Sequence, residues 1–307
     1  MASFDLGSPQ TRIASTGICL SDRVLEITGL LQTGEVSSAE YAIDAFEKTV
    51  AGAGADSAAW YVPMFRGCVS LLRGDFGFAS EMRQALLDLG TSVGDVNASH
   101  SFALQSAMAS LDTGDLQKST GSVRIMSDSF PRVDGWRAGF CYLLHEIGRK
   151  AEATLLWKSC NDAALLDRPR RNAWFGTACA MSLTVGAYGS VVDARAIFGR
   201  FVRFSGQLCV VGFGSYCWGS SDRFIATAAF AAGEPDVAAR HYRAAIAINT
   251  RVGALPALAY SHFGLASTLC ARRQGEPLRD LDTAEELAAA CGMVPLLASI
   301  DELRERL

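Results

Sequence analysis

Ala226-Thr227-Ala228-Ala229-Phe230-Ala231-Ala232-Gly233-Glu234-Pro235-Asp236-Val237-Ala238-Ala239-Arg240-His241-Tyr242-Arg243-Ala244-Ala245 reads as two helices folded against each other across one glycine. Ala226 and Ala238 flank the turn with side chains too small to hold the helices apart. Tyr242 supplies a large knob on the second helix. Gly233 suits the turn because a helix commonly ends in a left-handed residue, a conformation that costs glycine nothing.

The pattern recurs along the chain. A glycine followed by a polar or charged residue closes an apolar helical segment at Gly34, Gly74, Gly114, Gly148, Gly189, Gly233 and Gly275, with spacings of 40, 40, 34, 41, 44 and 42 residues. Five residues after each stand Ala39, Ala79, Ser119, Ala153, Ala194, Ala238 and Asp280; seven before the second to sixth stand Gly67, Ala107, Cys141, Ser182 and Ala226. Ile43, Trp157, Phe198 and Tyr242 recur as the knob.

This order of residues resembles the tetratricopeptide repeat, although its spacing is nearer 40 than the usual ~34. The resemblance implies an all-α fold: an α-solenoid of about six to seven antiparallel helix hairpins wound into a right-handed superhelix. Three phrases narrow it: 131–138, Gly212 through Arg223, and His241 through Asn249. They are similar to the C-terminal helical-repeat region of large bacterial regulators, the MalT-like and LuxR-type ATPases and the cyclase-fused ATPases. The expected organisation is a flexible arm over residues 1–20 and one solenoid domain over 21–307, closed by a solvated helix ending in 301–307.

Half of the 307 residues are apolar and a fifth are charged, so the chain can bury a large core. Twenty-eight Lys and Arg against 32 Asp and Glu leave a net charge of −4 with no basic block, which argues against nucleic acid as a partner. Nine scattered cysteines with no C-x-x-C pair read as buried reduced thiols. With an N-terminus that lacks the regions of a secretion signal, they make a cytoplasmic location the expectation. The uncharged stretch 174–192 is interrupted by glycine, serine and threonine, so no membrane span is expected.

Motifs for chemistry are fragmentary. No phosphate-cradling G-x-x-x-x-G-K-[ST] occurs. Gly212-Phe213-Gly214 begins like a dinucleotide fingerprint but has Cys217 at the third glycine, and close helix packing is the expected reason for these glycines. His145-Glu146 lacks the second histidine of a zinc helix, so neither a metal nor any other cofactor is expected. Cys141 and His145, four residues apart, could meet as a thiolate and imidazole, or Cys141 could be an inert packing thiol. Ser220-Ser221-Asp222-Arg223 reads as an N-cap, with a ligand-binding reading left open.

Under the repeat resemblance, the positions ten, six and three residues before each glycine line a concave groove. That places Met64, Cys68, Leu104, Met108, Tyr142, His145, Cys179, Leu183, Arg223 and Thr227 on it, with Tyr61, Trp218, Ser220 and Asp222 close by. An apolar groove of this kind invites filling by a partner, by an apolar small molecule or by the solenoid closing on itself. The first expectation is a stand-alone binding module that docks a protein partner. The alternative is a sensor or a cyclase- or isomerase-type enzyme holding an apolar substrate, with His145 as general acid or base, Tyr142 as hydrogen-bond donor and Arg223 as charge partner. A homodimer is a further possibility for the exposed ends.

Overall fold

The computed structural model describes residues 20–54, 56–130, 133–160, 167, 174–273 and 275–307. The expected arm therefore lies outside the described residues except for Leu20, which already opens the first helix, and so do positions 131 and 132. The chain is overwhelmingly helical. In order run α1 (Leu20–Thr33), α2 (Val36–Ala53), α3 (Asp56–Ala59), α4 (Tyr61–Arg73), α5 (Phe76–Ser92), α6 (Val96–Thr113), α7 (Leu116–Ser129), α8 (Asp134–Glu146), α9 (Lys150–Cys160), α10 (Trp174–Tyr188) and α11 (Val191–Phe201). Two strands follow, β1 (Leu208–Val211) and β2 (Tyr216–Ser220). The chain ends with α12 (Ser221–Ala231), α13 (Pro235–Val252), α14 (Leu255–Arg272), α15 (Pro277–Cys291) and α16 (Val294–Arg304).

Six of the seven recurring glycines, all but Gly189, take positive φ between 76° and 93° at the turn that follows a helix. Consecutive helices joined by these turns pack on each other. Gly189 serves differently: a Cβ there would press on Trp157 and Val185, so its bare backbone lets the indole close. The small residues flanking the turns are buried, among them Ala39, Ala79, Ala153, Ala194, Ala226 and Ala238. A second set, Gly54, Gly94, Gly253 and Gly292, makes left-handed turns between one helix pair and the next.

The helices come back on their own beginning, since α14 packs against α4 and α16 against α6. Between them sits the one marked departure from the helical reading among the described residues. Gly212-Phe213-Gly214 is the turn of an antiparallel β-hairpin rather than a site of helix packing, with φ of 61°, 55° and 89°. Leu208 pairs with Ser220, Val210 with Cys217 and Val211 with Tyr216, with an irregularity after Leu208. The hairpin touches α1, α4, α6, α10, α12, α13 and α14. It gives Cys209 and Tyr216 to one core cluster and Leu208, Val210 and Cys217 to another.

Polar contacts fix the hairpin in place. Gln105 Nε2 donates to the carbonyls of Met64 and Ser215, both at 2.8 Å, tying α6 to α4 and to the turn. The Ser101 and Ser215 hydroxyls are 2.8 Å apart. Gly214 has no room for a side chain, because a Cβ would land on the Phe65 ring, and its φ is one that other residues adopt only under strain. Gly214→Ala is therefore expected to cost roughly 3 kcal/mol, read as a lower denaturant midpoint. An unchanged midpoint would mean that the hairpin is not held against α4.

Candidate functional site

The helix faces expected to line the concave groove are largely covered. Tyr61, Met64, Cys68, Met108, Tyr142 and Cys179 are buried; Leu104, Leu183, Trp218 and Thr227 are partly so. Such a surface is costly to leave wet, and the hairpin covers it: Cys68 lies beside Cys217 and Cys179 beside Cys209, and Trp218 donates its indole N–H to the Met108 thioether. Burial raises the pKa of the Cys68, Cys209 and Cys217 thiols.

Several of the expected site residues have structural partners. Ser220 caps α12 by accepting from the Asp222 backbone N–H. Asp222 turns away from the groove: its carboxylate accepts from Ser205 Oγ at 2.7 Å and from the Gly206 N–H at 2.8 Å, and meets His241 Nδ1 at 2.6 Å. Burial pushes the Asp222 pKa up, but these partners outweigh it and hold the group below the usual carboxylate range. The Thr227 and Tyr242 hydroxyls are 3.0 Å apart. Cys141 donates to the Ala153 carbonyl, and burial pushes its thiol up to about 12, which suits an inert packing role.

The suggested trio of His145, Tyr142 and Arg223 is divided. His145 Nδ1 pairs with the Tyr188 hydroxyl at 2.9 Å, and burial lowers its pKa with help from the Lys150 charge. Tyr142 and Arg223 face a chamber that His145 does not line. Its walls come from α4, α6, α8, α10, β2, α12 and α14, and the residues that give it chemistry are Asp112, Tyr142, Tyr216, Trp218, Arg223 and Tyr260.

Local structure explains why these side chains converge. Successive helical residues splay by about 100°, so Asp222 and Arg223 leave α12 in different directions. The guanidinium of Arg223 lies 4.5 Å from the Phe224 ring centroid and 4.5 Å from that of Tyr260. Trp218 stacks on Phe224 with centroids 5.2 Å apart and meets Tyr142 and Tyr216 edge-on, each at 6.2 Å. Arg223 is only 9% exposed, yet its guanidinium makes no hydrogen bond or ion pair among the described residues.

The chamber is acidic as well. Asp112 is buried, and burial raises its pKa to about 7 against the opposing effects of the Arg223 charge and a Tyr260 hydrogen bond. Glu146 stands solvent-exposed nearby. The protein packed around its carboxyl raises its pKa, while Tyr142 and Arg223 pull it down. Burial holds Tyr142, Tyr216 and Tyr260 well above the usual phenol range, so they remain O–H donors at neutral pH. The chamber can therefore hold an electron-rich group on Arg223 and move a proton through Asp112.

Asp112, Glu146, Tyr216 and Tyr260 are not among the groove residues expected from the sequence. One signal for the two acids is present, since Asp112 and Glu146 each stand two residues before a turn glycine, Gly114 and Gly148, in successive units. The chamber itself is small, offering water-sized molecules about 30 Å³. Met108 and Trp218 also line a second, apolar cavity of about 80 Å³ bounded by Leu104, Val123, Val133, Trp136 and Leu143. No cluster of three or more metal-ligating side chains occurs, and no helix is long and apolar enough to cross a membrane, in both cases among the described residues. No protein-family model, curated protein or solved structure matches the chain.

Proposed function

We propose that this protein binds a small organic molecule inside the fold, as a sensor or as an enzyme acting by proton transfer, on a closed tetratricopeptide-like stack of helix hairpins. One observation carries the reading: the Arg223 guanidinium, nine-tenths buried, faces a chamber with no hydrogen-bonding or ion-pairing partner among the described residues. Charged donors this far buried are normally satisfied, and the Arg223 nitrogens, which reach water only through the chamber, keep part of their hydration at most. A ligand, or water in its absence, completes that arginine. In the enzyme form of the reading Asp112 carries the proton and Tyr142 or Tyr260 donates a hydrogen bond to the reacting group. The hairpin covers the helix faces a docked peptide would need, which favours a small molecule over a protein partner.

Native mass spectrometry of freshly purified protein, followed by denaturing extraction, tests this directly. A stoichiometric organic molecule released only on unfolding is the expected result. Protein that carries no organic molecule and is not stabilised against heat by any compound of a chemically diverse panel would overturn the reading.

A further inference from the structure

We infer that the ligand is an apolar monocarboxylic acid, with its carboxylate on Arg223 and its hydrocarbon body across Met108 and Trp218 in the second cavity. This inference rests on the small-molecule reading and names the ligand's class. Phe224 and Tyr260 take the ring-facing surfaces of the Arg223 guanidinium and leave its N–H groups without a partner among the described residues. A carboxylate accepts two parallel bonds from such a fork. An amine would bring a second cation beside the first. A phosphate would bring two negative charges to a chamber that already holds Asp112 and has Glu146 at hand. A head of one charge, little larger than two waters, suits about 30 Å³.

The second cavity defines the other end. Gly135 and Gly139, four residues apart on α8, leave one face of the helix as bare backbone, and Trp136 and Trp218 add flat apolar surfaces. A Cβ built on Gly139 meets nothing within 4 Å. The missing side chain opens space that packing does not require, which suits a flat or slender apolar body. Among the described residues only the Met108 and Trp218 side chains line both cavities, and the indole N–H of Trp218 bonds the Met108 thioether; a ligand that spans both must part this pair, for which a methionine is suited because it adapts readily.

Proton balance follows from the geometry. A carboxylate entering beside an ionised Asp112 is repelled, so above neutrality binding takes up one proton, which Asp112 keeps. The groups facing Asp112 are Arg223 from α12, Tyr260 from α14, Tyr142 and Glu146 from α8, Tyr216 from β2 and Cys291 from α15. Of these Glu146 is the other carboxyl, and the protein packed around it raises its pKa.

Calorimetric titration with phenylbutyrate, phenylbutylamine and phenylbutanol, on protein cleared of any resident ligand, separates the possibilities. The acid is expected to bind best, with affinity falling toward tenfold per pH unit above about 7. Asp112→Asn should keep binding and flatten that slope, whereas Glu146→Gln should leave the slope in place. Arg223→Gln should weaken the acid roughly a hundredfold, and Gly139→Leu should block it with thermal stability unchanged or raised. Tighter binding of the amine or the alcohol overturns the acid class while leaving the small-molecule reading intact. A slope that survives Asp112→Asn overturns the proton coupling. Failure of all three compounds overturns the inference, and an empty extract together with a silent panel removes the reading beneath it.

Discussion

Asp222→Ala is expected to destabilise the protein by about 3–5 kcal/mol, because it strips the acceptor from three donors at once. Ser205 Oγ, the Gly206 N–H and His241 Nδ1 all converge on this carboxylate, whose side chain is fully buried against a His241 side chain 19% exposed. The carboxylate also sits in the first turn of α12, where the helix dipole favours negative charge. One group thus joins the loop before β1, the start of α12 and the middle of α13. Its pKa is depressed in the folded state, so its contribution is fully present above the usual carboxylate pKa. It is lost as pH falls through the lower folded value. Denaturant titration of the wild type and the variant at neutral and acid pH reads both effects. A difference that stays the same down to the acid limit would mean that the pair is held by shape rather than charge.

Asp112→Asn is expected to act with the opposite sign. Its folded-state pKa is raised to about 7, so the wild type keeps its full contribution below the unfolded value and loses it as pH rises through about 7. Asparagine keeps an acceptor for Tyr260 and never ionises. The variant's advantage should be near zero at pH 4 and approach about 4 kcal/mol at pH 8. Midpoints of chemical unfolding across that range would test it, and an advantage independent of pH would place the acid outside the buried chamber. A residue that weakens its own fold at neutral pH is consistent with one retained for a ligand.

The helical pairs were legible because their cause is local. A glycine with small residues five after and seven before it encodes a turn and a close approach, and Ala153, Ala194 and Ala238 are buried as that logic requires. The hairpin was legible too, but only by setting aside the helical period. Leu208-Cys209-Val210-Val211 and Tyr216-Cys217-Trp218 are two short apolar runs rich in β-branched or aromatic residues around glycine, the usual signature of a hairpin. Arg223 and Tyr142, ten and six residues before their turn glycines, both line the chamber, whereas His145, three before its glycine, lies at the last turn of α8, where Tyr188 captures it. Tyr260 belongs to α14, and only the return of the chain on itself brings it to Arg223. No spacing within one unit carries that information.

That return changes how the molecule must come apart. A row of repeats whose units touch only their neighbours can fray from either end and still leave a folded remainder. Here α1 rests on β1, which begins 175 residues after that helix ends, and α4 on β2, which begins 143 residues after it ends, and α14 reaches both α4 and β2. The helices of the first third pack on one another but leave part of their shared apolar surface open until residues 208–220 have emerged, and the last third arrives to find its seat on α4 already formed. Assembly is therefore bound to a long-range closure, which makes it slow for a helical protein. Fragments cut at any turn are expected to aggregate rather than persist as shorter versions of the whole.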